Sequence, residues 1–199
     1  MSIGILGAGA IGSAFARALA RAEIPAVLAN SRGPASLEGL VRELGPSIKA
    51  GTRAEAAAAD IVLVAINWSK LPAALADLPG WSGRIVIDAN NAIEAPLFAP
   101  VDLAGRTSSE VFADLVPGAR VVKAFNHLLA SLLEGDPRAE GGRRVLFYSG
   151  DDGRARAEVG ALIDRLGFFG LDLGPLAVGA RLVQFPGGPL PVHNLVKFG

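Results

Sequence analysis

The chain has 199 residues, enough for one α/β domain with a small appendage but not for two full domains. Its 19 Lys and Arg residues balance 19 Asp and Glu residues, so no net charge attracts nucleic acid or an anionic membrane. The absence of cysteine excludes disulfides, thiolate metal sites and thiol catalysis, and two histidines are too few for a histidine-rich metal centre.

No apolar run reaches the about 18–20 residues needed to cross a bilayer, since Asp60 interrupts the alanine-rich stretch before Ile61. The apolar N-terminal stretch lacks the basic residues that begin a secretory leader. A chain without cysteine also suits a reducing compartment. We therefore expect a soluble, cytoplasmic protein without a metal site, a membrane partner or a nucleic-acid partner.

Short β-branched segments alternate with longer Ala- and Leu-rich amphipathic segments, which is typical of βαβ units around a parallel sheet. In chain order, strands are predicted at Ser2–Leu6, Ala26–Asn30, Ile48–Ala50, Ile61–Ile66, Arg84–Asp88, Arg120–Ala124, Arg144–Ser149 and Phe168–Asp172. Helices are predicted at Ala10–Ala22, Ala35–Leu44, Arg53–Ala58, Leu71–Leu78, Ser108–Leu115, His127–Leu133 and Gly153–Leu166.

This order predicts one domain over residues 1–199, a doubly wound Rossmann α/β fold with a mostly parallel sheet and helices on both faces. Residues 175–199 are predicted to form a short C-terminal extension over the sheet edge. Its glycines and prolines indicate an irregular segment from Phe185 to Gly199.

The first predicted strand runs directly into a glycine-rich loop that opens the first helix. The loop consists of Gly7, Ala8, Gly9, Ala10, Ile11 and Gly12. Gly7 permits the tight turn, Gly9 lets the backbone approach a pyrophosphate, and Gly12 lets the helix pack against the strand. The amides at the helix N-terminus then face the diphosphate, whose charge the helix dipole favours. In this strand–turn–helix context the pattern predicts a dinucleotide site.

The end of the second predicted strand indicates which dinucleotide is favoured. NAD enzymes usually carry Asp or Glu there, which hydrogen-bonds the ribose 2′-hydroxyl. This strand ends instead in Asn30, Ser31 and Arg32, with no acidic side chain. Arg32 can pair with a 2′-phosphate and stack on the adenine, and Ser31 adds a hydroxyl donor. The pattern favours NADP(H), against the alternative that Arg32 is an ordinary solvated loop residue.

Polar residues also follow three later strands, at the sheet edge where ligands bind in this fold. The further cofactor contacts predicted there are Ala65, Ile66, Asn67, Ala89, Asn90, Ala124 and Asn126. Asn126 is the candidate partner of the nicotinamide carboxamide, and Trp68 is either a pocket wall or plain packing. His127 either supplies a proton to a reduced acceptor or caps the helix predicted to begin there. Lys123 is expected to snorkel or pack.

These clusters hold no Ser–Tyr–Lys, His–Asp or metal constellation, so no catalytic residue beyond the candidate His127 is predicted. Hydride transfer between two heteroaromatic rings needs alignment at about 3–3.5 Å and exclusion of water more than it needs acid–base groups. The residues therefore favour a second substrate that is itself a redox cofactor.

Several motifs support a family resemblance. They are the phosphate loop Gly7–Gly12, then Ala29–Gly33, Val86–Asn91, Arg106–Glu110, Val121–Asn126, Leu146–Asp152 and Gly187–Leu190. Together they resemble the NADPH-dependent reductases of coenzyme F420, an 8-hydroxy-5-deazaflavin, over nearly the whole chain. The resemblance implies that NADP(H) binds the phosphate loop and Ser31–Arg32, with coenzyme F420 as the candidate co-substrate. It also implies that the deazaflavin is lined by Asn67, Trp68, Asn126, His127, Gly187, Gly188 and Pro189.

Two residues depart from the pattern of these reductases. Ala8 stands where they often have threonine, and Ser36 stands where they often carry a second basic residue. Both changes remove contacts to the 2′-phosphate, so the preference for NADP is expected to be weaker than in the family.

Two other functions share the N-terminal motif. β-Hydroxyacid dehydrogenases and imine reductases add a helical domain with a catalytic lysine, for which the about thirty residues after Gly167 are too few. A nucleotide-binding sensor or subunit without turnover would account for the small number of acid–base groups. A reductase of another small acceptor is a further alternative. The identity of the acceptor and the direction of hydride transfer stay open. A homodimer is a candidate assembly, because similar proteins often dimerise.

Overall fold

The computed structural model describes residues 1–78, 80–94 and 99–199. The strands are β1 Ile3–Leu6, β2 Ala26–Ala29, β3 Ile48–Ala50, β4 Ile61–Val64, β5 Ile85–Asp88, β6 Ile93–Glu94, β7 Ala99–Pro100, β8 Arg120–Ala124, β9 Arg138–Ala139, β10 Gly142–Gly150, β11 Phe169–Asp172 and β12 Val196–Lys197. The α-helices are α1 Ala10–Arg21, α2 Glu38–Leu44, α3 Arg53–Ala57, α4 Leu71–Leu75, α5 Ser108–Asp114, α6 Ala130–Glu134, α7 Gly153–Arg165 and α8 Leu176–Leu182. Short 3-10 turns precede α2 at Pro34–Leu37 and α4 at Trp68–Lys70.

The main sheet of the described residues has the strand order β11-β10-β8-β5-β4-β1-β2-β3. The strands from β8 to β3 along this path run parallel. β10 runs antiparallel to β8, and β11 runs parallel to β10. β9 and β12 pair with β10, while β6 and β7 form a separate pair. Because β2 lies on one side of β1 and β4 on the other, the strand order reverses at β1, as in a doubly wound fold.

Helices cover both faces of this sheet. One face carries α1, α2, α6 and α7, with Phe15, Leu133 and Val159 among its buried side chains. The other face carries α3, α4, α5 and α8, with Phe112 and Leu176 among its buried side chains. Strand β4, which is apolar throughout, is buried at every position because it is covered on both sides. The predicted doubly wound Rossmann α/β class is therefore confirmed.

Some predicted boundaries differ from the structure. The helix predicted from His127 begins at Ala130, because Leu129 still has an extended backbone. The helix predicted over Leu71–Leu78 ends at Leu75. The segment after Pro175 forms α8, an unpredicted helix that packs on a sheet face against β8 and β10. Within the segment predicted as irregular, β12 pairs antiparallel with the start of β10. In the described ranges, no helix has the length and apolar character that a membrane crossing requires.

Candidate functional site

The turn after β1 depends on two glycines. Gly7 has a φ of 111°, in the region that favours glycine, and its N–H donates to the carbonyl of Ala29 at 2.9 Å. A Cβ on Gly7 would collide with the carbonyl oxygen of Ala65, and one on Gly12 would collide with the carbonyl oxygen of Gly7. The turn and the start of α1 are therefore packed too closely for a side chain at either position.

Gly9 differs from these two glycines, because no protein atom lies within 4 Å of the position that its Cβ would occupy. It is the N-cap of α1 and has an extended backbone, no side chain caps the helix, and the first turn of α1 contains no acidic residue. Gly9 and Ala10 are both exposed. The open space in front of the N-terminus of α1 fits a diphosphate, which uncapped amides and the helix dipole favour.

The loop after β2 lies beside this turn, since Ala29 accepts the hydrogen bond from Gly7. The Asn30 side chain shapes the loop: its Oδ1 accepts from the N–H of Arg32 at 2.9 Å, and its Nδ2 donates to Ser36 Oγ at 2.9 Å. Ser36 Oγ also donates to the carbonyl of Gly33 at 2.7 Å. Ser31 and Arg32 are exposed. Ser36, which stands where the related reductases often have a basic residue, thus stabilises the conformation of this loop.

The end of β5 is joined to the end of β4 through Asn90, which is 4% exposed. Asn90 Oδ1 accepts from the N–H of Ile66 at 2.8 Å, and Asn90 Nδ2 donates to Asp88 Oδ1 at 2.8 Å. The N–H of Asn90 also donates to Asp88 Oδ1, at 3.0 Å. The Asn90 side chain therefore binds protein groups and positions the Ile66 backbone.

Lys123 is fully buried beneath these groups, so of the two expected roles, snorkelling to solvent is wrong and packing in the interior agrees with the structure. Its Nζ lies 3.1 Å from Asp88 Oδ2 and donates to the carbonyl of Asn90. Ser109 Oγ donates to the same carboxylate oxygen at 2.8 Å. Burial lowers the pKa of Lys123, and the negative charge of Asp88 opposes that change.

Asn126 follows β8 and is 6% exposed. Its Nδ2 donates to Asn91 Oδ1 at 2.9 Å and to the carbonyl of Val183 at 2.7 Å. Its Oδ1 is buried and has no hydrogen-bond partner among the described residues. The preceding Phe125 has a φ of 63° and packs edge-on against Phe15 of α1, with ring centroids 4.8 Å apart. Asn126 thus holds a buried acceptor that no described group uses.

His127 is 2% exposed, and its ring lies 4.9 Å from that of Phe147 between centroids. Neither ring nitrogen makes a hydrogen bond of normal geometry in the part of the chain that the structure describes, although the Val145 backbone partly opposes the effect of burial on the pKa. Burial lowers the pKa of His127 to about 4. The imidazole is therefore neutral and enclosed near neutral pH, which does not suit a proton donor. The alternative of a helix cap is wrong, since α6 begins at Ala130 with Leu129 at its N-cap.

Taken together, most of the predicted cofactor contacts follow neighbouring strands. The phosphate loop follows β1, Ser31 and Arg32 follow β2, Ile66 and Asn67 follow β4, Asn90 follows β5, and Asn126 follows β8. These strands are adjacent and parallel in the sheet, so their carboxyl ends share one edge. The predicted contacts Ala65, Ala89 and Ala124 lie at the same edge, directly after or at the end of β4, β5 and β8. Among the described residues, no group of His, Asp or Glu side chains could hold a metal ion.

Comparison with known proteins agrees with the fold. Residues 2–92 match the family model for the coenzyme F420-dependent NADP oxidoreductases. The crystal structure of a hypothetical protein from Sinorhizobium meliloti is 47% identical with a TM-score of 0.94, covering 99% of this chain and 96% of that one. The crystal structure of a proposed F420-dependent NADP reductase from Arthrobacter sp. FB24 is 30% identical with a TM-score of 0.75, covering 89% of this chain and 86% of that one. The chain belongs to the coenzyme F420-dependent NADP oxidoreductase family.

Two further comparisons are with longer proteins. Metalloreductase STEAP3 from Rattus norvegicus is 33% identical over 208 residues, which cover 99% of this chain and 39% of that protein. The chain thus spans well under half the length of this curated relative. A reductive aminase from Aspergillus terreus in complex with NADPH is 22% identical with a TM-score of 0.65, covering 90% of this chain and 57% of that one. That likeness shows the shared fold alone.

The remaining predicted residues are those expected to line the binding site of the hydride acceptor. Asn67 is exposed, whereas Trp68 is half-buried and packs on the core beneath α4 and α5. Gly187 has a φ of 106°, and a Cβ on Gly188 would collide with backbone carbonyl oxygens at the end of α8. Both glycines line an open depression of about 370 Å³. Pro189 is exposed.

Asp88, Asn91, Lys123, Ser108 and Ser109 were missing from the predicted site. A sequence signal for the ion pair exists, because Asp88 ends the otherwise apolar β5 and Lys123 lies near the end of β8, whose other charged residue, Arg120, is at its start. Their opposite charges on strands destined to be neighbours predict a pair. The contribution of α5 carries no such signal, since serines at a helix start are common capping residues.

Proposed function

We propose that this member of the family binds NADP(H) along the carboxyl ends of the strands and transfers hydride between the nicotinamide and a deazaflavin, coenzyme F420, or a flavin-like acceptor. The observation that carries the proposal is the open space at Gly9 beside an acid-free loop that exposes Arg32. A diphosphate would accept hydrogen bonds from the backbone amides at the start of α1. A 2′-phosphate would pair with the Arg32 guanidinium, which forms no ion pair with the described residues.

Asn126 would orient the nicotinamide in this proposal. Its Nδ2 is already used by Asn91 and Val183, so Oδ1 is the acceptor left for the carboxamide, and the buried Oδ1 would have to become exposed when the cofactor binds. Because Phe125 in its unusual backbone conformation packs on Phe15, the Asn126 position is tied to α1 and hence to the phosphate loop. The chain would thereby hold both ends of the cofactor on one rigid edge.

The reaction would depend on alignment and exclusion of water rather than on a protein acid. When bound, NADPH supplies a hydride, which reduces the acceptor by two electrons and leaves NADP⁺, while the accompanying proton comes from water. His127 would not deliver that proton near neutral pH, because it is buried and its pKa is lowered to about 4. Its contribution would be to pack beneath the Asn126 segment.

Replacement of Arg32 by aspartate tests the cofactor assignment. The change removes the partner of the 2′-phosphate and adds a repulsive charge, so the Kd for NADPH should rise about tenfold to a hundredfold. The Kd for NADH should change far less, because NADH has no 2′-phosphate. Arg165→Asp, the same charge change on the exposed end of α7, is the matched control and should leave both constants near wild type. Equal losses for NADPH and NADH in Arg32→Asp would contradict the NADP assignment.

An acceptor panel tests the reaction itself. NADPH oxidation should be fast only with a suitable acceptor, so the purified protein is mixed with coenzyme F420, FMN, FAD, a quinone and a chelated metal ion in turn. The metal chelate is included because one relative is a metalloreductase. Turnover with F420 or a flavin supports the proposal, and turnover with another acceptor alone replaces it by a different reductase.

A nucleotide-binding sensor or subunit without turnover is the second candidate function. The observation in its favour is that the described site offers no exposed acid–base side chain and that His127 is neutral and enclosed. Tight NADPH binding with no oxidation by any acceptor in the panel would favour this candidate. A homodimer, a cytoplasmic location and a single domain over residues 1–199 remain predictions of the sequence.

A further inference from the structure

An ion pair lies buried directly under the proposed nicotinamide end of the site. The side chains of Asp88 and Lys123 are both 0% exposed, on adjacent parallel strands that are paired at these two residues. Replacing such a pair by apolar side chains of similar volume is often neutral or stabilising, because burial removes both charges from water. Stability therefore gives no sufficient physical reason for charges at this position.

The pair is instead connected to the site through Asn90. Asp88 Oδ1 accepts from both the N–H and the Nδ2 of Asn90, while Lys123 Nζ donates to the carbonyl of Asn90. Asn90 Oδ1 in turn accepts from the N–H of Ile66 at 2.8 Å. Asn90 is thus held on its amide, its side chain and its carbonyl, and it passes that restraint to the loop after β4.

The pair also restrains the end of β8. Lys123 immediately precedes Ala124 and Phe125, and its Nζ is held by the end of β5. The positions of the loops that carry Asn67 and Asn126 are consequently both restrained by the buried Asp88–Lys123 pair. α5 closes the arrangement, since Ser109 Oγ donates to Asp88 and Ser108 Oγ lies 3.4 Å from Lys123 Nζ.

We propose that Asp88 and Lys123 are positioning residues for the nicotinamide end of the cofactor site, acting through Asn90 on the Ile66 backbone. The inference rests on the proposed NADP(H) site. It assigns to the ion pair a role in binding geometry that a purely structural pair would not have.

The test replaces the pair by apolar residues and measures folding, local order and binding separately. Asp88→Leu combined with Lys123→Met keeps the core filled, so the melting temperature should stay near wild type. Hydrogen exchange at the Ile66 amide should accelerate about tenfold, because its partner Asn90 is no longer held. The Kd for NADPH should rise about tenfold for the same reason.

Two further variants make the result decisive. Asn90→Ala keeps the ion pair but removes the acceptor of the Ile66 amide, so it should reproduce both changes even if the double variant does not fold. Ser149→Ala is the control: Ser149 is buried opposite Lys123 on β10, and its hydroxyl has no partner within the described residues. It should alter neither exchange at Ile66 nor NADPH binding.

Wild-type exchange at Ile66, or wild-type NADPH affinity, in a folded double variant would overturn the inference. Failure of the wild-type protein to bind NADPH would instead refute the proposed function. In that case the exchange measurement still decides whether the pair restrains Ile66, because it requires no cofactor.

Discussion

Replacing His127 by phenylalanine tests how the buried imidazole couples stability to pH. His127 is 2% exposed, packs against Phe147, and makes no hydrogen bond of normal geometry through either nitrogen among the residues described. Burial lowers its pKa from 6.5 to about 4, so the folded state prefers the neutral ring. Between these two values the unfolded chain binds more protons, and the free energy of unfolding must therefore fall as the pH falls.

The size of the effect follows from the shift. One pKa unit corresponds to about 1.4 kcal/mol, so at about pH 5, some 1.5 units below the unfolded value, His127 should cost about 2 kcal/mol. At about pH 7 the cost is close to zero, since the imidazole is then mostly neutral in both states. Phenylalanine fills a similar volume and does not titrate. Its variant should lose about 2 kcal/mol less stability than wild type over this pH range.

Urea denaturation at the two pH values measures the difference, and comparing variants cancels the pH dependence of the carboxylates. His193→Phe is the matched control, because His193 is the second histidine and is exposed. It should follow the wild-type loss. Proton NMR gives an independent readout, in which the His127 ring should not titrate near its unperturbed value. Equal pH-dependent losses in wild type and His127→Phe would refute the argument from burial.

Two further predictions concern the phosphate loop and the start of α5. Gly9→Ala should lower the melting temperature only slightly, because alanine is a poorer N-cap than glycine but its Cβ meets no protein atom within 4 Å. It should weaken NADPH binding about tenfold or more, since the Cβ would occupy the proposed diphosphate space. Gly12→Ala should lower the melting temperature more than Gly9→Ala does, because its Cβ collides with the carbonyl oxygen of Gly7. Equal melting temperatures for the two variants would contradict this. Thr107→Ala should lower the free energy of unfolding by about 1 kcal/mol in urea titrations, because Thr107 Oγ1 caps α5 by accepting from the N–H of Glu110. Thr107→Ser should retain most of the wild-type stability. An unchanged free energy of unfolding in Thr107→Ala would argue against the cap.

The strands and the phosphate loop could be predicted from local sequence because their physical causes are local. β4 is apolar at each position since both of its faces are covered, and that pattern is visible without knowing the neighbours. The loop from Gly7 to Gly12 needs glycine for reasons that the strand–turn–helix geometry dictates. The same local reasoning placed the polar strand ends at one edge of the sheet, because parallel strands end on the same side.

α8 could not be predicted in this way, because its cause is a tertiary contact. A glycine inside a short helix normally costs stability, so Gly179 argues against a helix when the sequence is considered alone. In the structure α8 lies so close to β10 that a Cβ at Gly179 would collide with the Ser149 side chain. The glycine that weakens the local signal is the residue that allows the helix to pack.

The orientation of Asn126 shows how a non-local contact decides site chemistry. Its place after β8 was predictable, but either end of its amide could have faced a ligand. Val183, at the end of α8 and 57 residues away in the sequence, places its carbonyl 2.7 Å from Nδ2, and Asn91 Oδ1 is a second acceptor. Reversing the amide would set one oxygen against two others, so Nδ2 must point to these groups. The C-terminal helix thereby leaves Oδ1 without a protein partner, and the proposed nicotinamide contact depends on a segment that carries no dinucleotide motif.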